Sequence, residues 1–188
     1  MKGLLWVASL SFSFSGCATY EPPGDGVAKG CRASADHPGE LGRALGLSSH
    51  LKWESDADSR ARREFELDEW RALRTAFARR DLSWRVLEPE QGAWNFEPSD
   101  TLVEAAESVG VEILGILDYG NAWARDDTND PKFPPDDLAD FGNYVAQVVG
   151  RYAGRIPVYE VWNEPNAGMS FWKPVEDPER YLELLEVS

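Results

Sequence analysis

The chain is poor in the residues that build metal centres and disulfide frameworks: among 188 residues there are two cysteines and two histidines. No His/Cys spacing of the metal-binding kind is present. Asp126, Asp127, Asn129 and Asp130 lie close together, but the glycine turn and distal glutamate of a calcium loop are missing, so they read as a polar surface loop. No metal or other cofactor is expected. Positive charge is also scarce, with 19 Lys and Arg against 33 Asp and Glu and a formal net charge of -14. Such a surface repels phosphates, which excludes nucleic acid and anionic membranes as partners. Arg60, Arg62, Arg63 and Arg71 alternate with Glu64, Glu66 and Glu69, the pattern of a solvated helix face. What remains is 43% hydrophobic and 28% charged, the composition of a globular protein with a sizeable core.

Lys2 precedes an apolar run from Leu4 to Phe14, too short to span a bilayer but suited to the core of a signal peptide over residues 1–16. The run ends Phe14-Ser15-Gly16-Cys17. This resembles the lipobox of bacterial lipoproteins, although that family usually has Leu where Phe14 stands. The resemblance implies lipidation of Cys17 and a membrane contact through that anchor alone. Ser13-Phe14-Ser15 offers an ordinary signal-peptidase site instead, which would give a secreted protein. With Cys17 lipidated, Cys31 has no partner and no intramolecular disulfide forms. Residues 17–39 carry Pro22, Pro23, Gly24, Gly26, Gly30, Pro38 and Gly39 without hydrophobic period and read as a tether.

From residue 40 onwards strand and helix signals alternate. A strand is expected over 45–49, then a helix from Asp58 or Ser59 with Leu67, Trp70 and Leu73 on one face. Residues 75–82 form the next strand. The second helix starts at Pro98 and Ser99, turns Leu102, Ala105, Ala106 and Val109 inward and stops at Gly110. Residues 111–117 are a compact apolar run of the kind buried in a parallel sheet. A third helix begins near Pro135 and Asp136, with Leu138, Phe141, Val145, Val148 and Tyr152 inward, and ends at Gly154. A fourth strand covers 156–162. Asp177-Pro178 starts a fourth helix with Tyr181, Leu182 and Leu185 as its apolar set. Four successive strand-helix units imply an α/β fold with right-handed parallel crossovers. The Gly-x-Gly-x-x-Gly turn of a dinucleotide-binding sheet is absent after the first strand, and four units make half of the eight in a TIM barrel.

The fourth strand runs Val158-Tyr159-Glu160-Val161-Trp162 into Asn163-Glu164-Pro165. Upstream stand Arg79-Arg80-Asp81-Leu82-Ser83-Trp84, then Glu88-Pro89-Glu90-Gln91-Gly92-Ala93-Trp94-Asn95-Phe96 and Asp100. In this order the segments resemble the clan A glycoside hydrolases, the TIM-barrel group that includes families 5, 10 and 39, with families 5 and 39 as the nearest patterns. Trp94 departs from the clan's commoner Tyr. The resemblance spans roughly residues 41 to 185. It implies a partial (β/α)8 barrel, a retaining glycosidase acting on oligo- or polysaccharides, Glu164 as general acid/base and Asn163 as the group that bonds the sugar 2-hydroxyl. The chemistry agrees, since breaking a glycosidic bond requires one protonated and one ionised carboxyl flanking it.

Further binding residues are expected around that pair. Arg79 matches the clan's second-strand arginine, or else forms a structural ion pair with Asp81. His50 follows the first strand; it either contacts sugar or sits hydrogen-bonded in the core. Trp84, Trp123 and Trp172 lie in loops after the second, third and fourth strands, where aromatic faces stack on pyranose rings or pack beneath the loops. Tyr119 and Asn121 are polar candidates after the third strand. The resemblance puts the nucleophile on a seventh strand and names no residue here for it, so residues 40–188 are expected to be the N-terminal half of a barrel, inactive alone. A two-fold pair of halves, with the partner copy offering Asp118 as second carboxylate, is one route around this. A non-catalytic, sugar-binding surface lipoprotein is the alternative from another class.

Overall fold

The computed structural model describes residues 45–188; the expected signal segment 1–16 and tether 17–39, with Cys17 and Cys31, lie outside the described residues. Four strands, β1 (Gly46–Ser48), β2 (Phe77–Asp81), β3 (Glu112–Leu117) and β4 (Val158–Val161), form one sheet in the order β1-β2-β3-β4. Every neighbouring pair is parallel. The helices are α1 (Ala57–Leu73), the short α2 (Trp84–Leu87), α3 (Glu97–Ser108), α4 (Leu138–Arg151) and α5 (Pro178–Val187). The expected partial (β/α)8 architecture is therefore present, strand by strand.

Local chemistry explains the helix limits. Asp56, Asp137 and Asp177 cap α1, α4 and α5, each carboxylate accepting a first-turn backbone N–H at 2.9 Å. Past α3 and α4, Gly110 and Gly154 adopt φ of +72 and +77°, a left-handed conformation in which a Cβ would be strained. The sequence does not signal α2 or the 3-10 turn at Ala122–Ala124, because four- and three-residue helices are too short for a period to register.

Register fixes which side chains share a face. Ala78, paired with Ile113, and Leu117, paired with Val161, point towards the helices, where Leu102, Val103, Ala106, Phe141, Val145 and Val148 are buried with them. The opposite face, the inside of the curved sheet, carries Arg79, Asp81, Ile116, Glu160 and Val158 in alternation. Asp118 follows two residues beyond Ile116 on that same face. An aromatic layer closes the structure beneath the C-terminal ends of the strands: Trp84 stacks on Tyr144 at 5.4 Å and meets Phe141 and Trp123 edge-on, while Trp162 meets Tyr119 and Trp172. Two expectations about helix faces are corrected. Leu73 is exposed at the end of α1, and on α5 it is Leu184 that is buried, while Leu182 and Leu185 face outward.

Candidate active site

The C-terminal ends of β2, β3 and β4 converge on one polar network. Arg79 sits on the inner face of β2, two strands from β4, and its guanidinium grips Glu160 through two bonds of 2.8 Å. A bidentate fork of this kind is strong and fixes orientation. The same Nη2 donates to the Asn163 side-chain carbonyl at 2.7 Å, and the Asn163 amide donates to the Tyr119 hydroxyl at 2.9 Å. The chain Glu160, Arg79, Asn163, Tyr119 thus ties β2, β4 and the loop after β3 into one unit. Glu160 holds Arg79 above the ordinary guanidinium range, while burial and then the charge of Asp118 push the Tyr119 phenol up, so it stays protonated.

Backbone geometry then turns Glu164 away from the sheet. Trp162 and Glu164 have φ of 64 and 50°, a left-handed region that costs a non-glycine residue roughly 1–2 kcal/mol. Two such residues flanking one asparagine show the turn to be held from outside. The anchors are the Trp162 indole N–H on Phe171 O at 2.7 Å and Trp162 N on Leu117 O at 2.9 Å. Glu164 is exposed, and among the described residues no group hydrogen-bonds its carboxyl. A fixed amide beside a free, accessible carboxyl at the mouth of a sheet can present a proton donor to a bound oxygen.

Beneath this network lies Asp118, fully buried, with neither carboxylate oxygen partnered among the described residues. Burial, reinforced by the neighbouring charge of Asp81, pushes its carboxyl up to about 8. Lys132, from the loop between β3 and α4, places its ammonium 3.0 Å from the Tyr119 ring centroid and 4.6 Å from that of Phe171. Lys173 pairs with Asp130, and its N–H bonds Lys132 O at 3.0 Å, so the loops after β3 and β4 are clamped together.

Of the residues expected from sequence, the structure brings Arg79, Tyr119, Asn163 and Glu164 together. The alternative of an Arg79–Asp81 ion pair is not what forms: Arg79 reaches across β3 to Glu160 while Asp81 stays exposed. Trp84 and Trp172 are 0 and 1% exposed; protein covers their ring faces, so they pack the loops and offer no surface to a sugar. Asn121 is likewise buried, its amide bound to Glu88 O at 2.7 Å. Trp123, half-buried, donates to that same carbonyl at 3.0 Å. The organiser is Glu88, itself buried, whose carboxylate accepts the Trp84 indole and Gly92 N–H at 2.7 Å each. His50 is exposed on the rim of a cavity of about 270 Å3 that Trp53, Arg80, Asp81 and Leu102 help to line, apart from the Asn163 network. Asp118, the carboxylate that a two-fold pair of halves would offer, is fully buried.

Sequence reasoning missed Glu160, Lys132 and Glu88. Glu160 was legible as a charge at an inward position of an otherwise apolar strand. Glu88 opens the Glu88-Pro89-Glu90-Gln91-Gly92 segment matched to the clan, although its partners were not legible; for Lys132 no local signal exists, since its placement depends on loop conformation.

Parallel strand-helix units with the polar groups collected at the carboxyl ends of the strands are the arrangement of a TIM-barrel active face. Residues 71–172 match the Glycosyl hydrolase family 10 profile, more than half of the chain, and the chain belongs to that family. The match lies within the clan that the sequence resembles, and the profile that it singles out is family 10. A Beta-1,4-xylanase from Dictyoglomus thermophilum is 29% identical over 87 residues, 44% of this chain and 23% of that protein. Among solved structures, a family 39 glycoside hydrolase from Bacteroides cellulosilyticus WH2 superposes with a TM-score of 0.56 at 27% identity, covering 77% of this chain and 28% of its own. Xylanase 10B of Thermotoga petrophila RKU-1, solved with xylobiose, shares the fold with a TM-score of 0.54 at 21% identity over 76% of this chain and 45% of that one. The chain spans less than half the length of each of these relatives.

Proposed function

We propose that this chain supplies the acid/base half of a retaining glycosidase site acting on a xylan-type oligo- or polysaccharide, with Glu164 as proton donor and Asn163 as the group that bonds the sugar hydroxyl beside the scissile bond. The observation that carries the reading is the arrangement at the end of β4, where Asn163 is locked by Arg79 and Tyr119 and Glu164 is left free at the mouth. Family 10 membership and the xylanases among the relatives supply the substrate class. Departure of an alkoxide-like leaving group needs a proton at the oxygen as the anomeric carbon gains positive charge. In the retaining reaction an ionised carboxylate then captures that carbon, and Glu164, now a carboxylate, takes a proton from the incoming water. The residues assigned here do not include that second carboxylate.

Complementation tests the reading. Co-expressed with the last four strand-helix units of a related family 10 barrel, the chain is expected to release xylo-oligosaccharides from xylan, while neither half does so alone. A reassembled complex that binds xylo-oligosaccharides without forming product would replace the enzyme with a non-catalytic sugar-binding protein. Export is proposed on the residues at the N-terminus, with Cys17 as lipid attachment site. In a bacterial host, labelled palmitate is expected to enter the chain and to be lost in Cys17→Ser; equal labelling of both would remove the anchor.

A further inference from the structure

β2 carries two arginines side by side. Because successive strand residues point to opposite faces, Arg79 serves the Asn163 network while Arg80 projects to the helix side. There Arg80 lines the cavity of about 270 Å3 that has His50 at its rim, together with Trp53, Glu54 and the apolar Leu82 and Leu102. Its guanidinium donates from Nη1 to Ser49 O at 2.7 Å and from Nη2 to Leu51 O at 3.2 Å. A guanidinium has five N–H donors; two are used here, which leaves three. Nε is buried without an acceptor among the described residues, and no carboxylate there reaches Arg80 at salt-bridge distance. Glu54 is its counterpart: Oε1 lies 3.8 Å from the Lys52 ammonium, whereas Oε2 is buried and has no partner among the described residues. Buried polar groups are nearly always satisfied, so an orphan calls for an explanation. Here an orphaned donor from β2 and an orphaned acceptor from the loop after β1 belong to residues lining one cavity. That loop is fixed from behind, since Arg63 of α1 donates to Lys52 O at 2.7 Å and Leu51 N donates to Ser49 Oγ at 3.0 Å. A wall held in place before a ligand arrives lowers the cost of binding one.

We propose that this cavity is a second carbohydrate site, separate from the catalytic one, in which Arg80 donates to sugar hydroxyls, Glu54 accepts from them and Trp53 covers an apolar ring face. The lining carries both signs, Arg80 and Lys52 against Glu54 and Asp81, a balance that favours neither an anion nor a cation. A hydroxyl is donor and acceptor at once, so a neutral polyol can answer both orphaned groups. A pyranose adds C–H faces suited to an indole and to the leucines beneath. The volume, a little below the roughly 300–1,000 Å3 of pockets for drug-sized ligands, suits one or two sugar rings. Xylose as the sugar rests on the proposed substrate class. No bond is made or broken here; a polysaccharide held at this point stays beside the mouth of the sheet between encounters with Glu164.

Nitrogen-15 NMR titration of the full chain with xylobiose tests the assignment. Saturable shifts are expected at Arg80 Nε–H and at the backbone amides of residues 50–54. Glu54→Leu is expected to weaken this binding by roughly tenfold or more, the loss of a hydrogen bond to a charged group. Trp53→Ala leaves the polar pair in place and is expected to weaken it as well, so the test stands if either variant folds. Asn163→Ala is expected to leave the midpoint at these resonances unchanged. Resonances that stay still up to the solubility limit of xylobiose overturn the inference, as does a response to acetate in place of xylobiose. Shifts that vanish in Asn163→Ala overturn it too, because they would report the catalytic site alone. Product from the reassembled barrel with a silent cavity removes this site only; a responding cavity without product removes the glycosidase reading and keeps the site.

Discussion

Glu164→Gln in the reassembled barrel is expected to lower kcat/KM on xylo-oligosaccharides by about 10²- to 10⁴-fold, the usual contribution of a positioned general acid or base. The amide keeps the shape and much of the polarity of the side chain but has no proton of suitable acidity to give. The loss is expected to depend on the leaving group. An alkyl glycoside or a xylan chain leaves as a strongly basic alkoxide and needs the proton, whereas a nitrophenyl group leaves readily without it. Bond cleavage for the aryl substrate is therefore expected to suffer far less than for the oligosaccharide, with the covalent intermediate accumulating as a burst because the same side chain also serves the water step. Burst kinetics with the two substrates measure this directly. An equal loss on both, or no loss, means that Glu164 is not the acid. Since Glu164 is exposed and its side chain makes no hydrogen bond among the described residues, the substitution is expected to leave the folding midpoint of the chain nearly unchanged, as surface changes usually do.

The order of the elements was legible because each rests on a local cause. The inward stripe of α4, the caps Asp137 and Asp177, and the stop glycines 110 and 154 all act within a few residues of themselves. The pair Asn163-Glu164 was legible for a related reason: an apolar strand that turns abruptly polar and then meets Pro165 marks a strand end in sequence as well as in space. The errors concern orientation. Trp84 and Trp172 lie in loops after strands, where an aromatic can face a ligand or the core, and composition does not distinguish these. Three dimensions decide it, through the buried Glu88 that accepts the Trp84 indole at 2.7 Å and through Trp162, which meets Trp172 at 5.1 Å. Arg79 was legible as a functional cation but not by partner. Asp81 is its neighbour in sequence on the same face, yet Glu160 comes from 81 residues away and offers both oxygens in the plane of the guanidinium. Leu182 and Leu185 carry an apolar signal that α5 turns outward, a pattern that sequence alone reads as core.

Replacing Asp118 is expected to have the opposite effect from an ordinary core substitution, because the native side chain is itself a source of instability. The carboxyl is fully buried and has no hydrogen-bond partner among the described residues, and burial together with the charge of Asp81 raises it from the ordinary 3.8 to about 8. Raised in this direction, the carboxyl is expected to hold its proton at neutral pH in the folded chain and to release it in the unfolded one. The sign follows from linkage. Below the unfolded value both states are protonated and the group imposes no pH-dependent cost; as pH rises from 3.8 towards 8 the unfolded state gains the advantage of ionising, so stability falls across that window and levels off above it. Asp118→Asn removes the ionisation while keeping size and shape. The variant is expected to match the parent near pH 4 and to exceed it increasingly up to pH 8, by at most about 1.4 kcal/mol for each pH unit within the window. Urea unfolding at a series of pH values measures the difference. A constant offset between the two proteins, or a variant less stable at pH 8 than at pH 4 relative to the parent, would mean that Asp118 is ionised in the fold, paired with a cation such as Lys132.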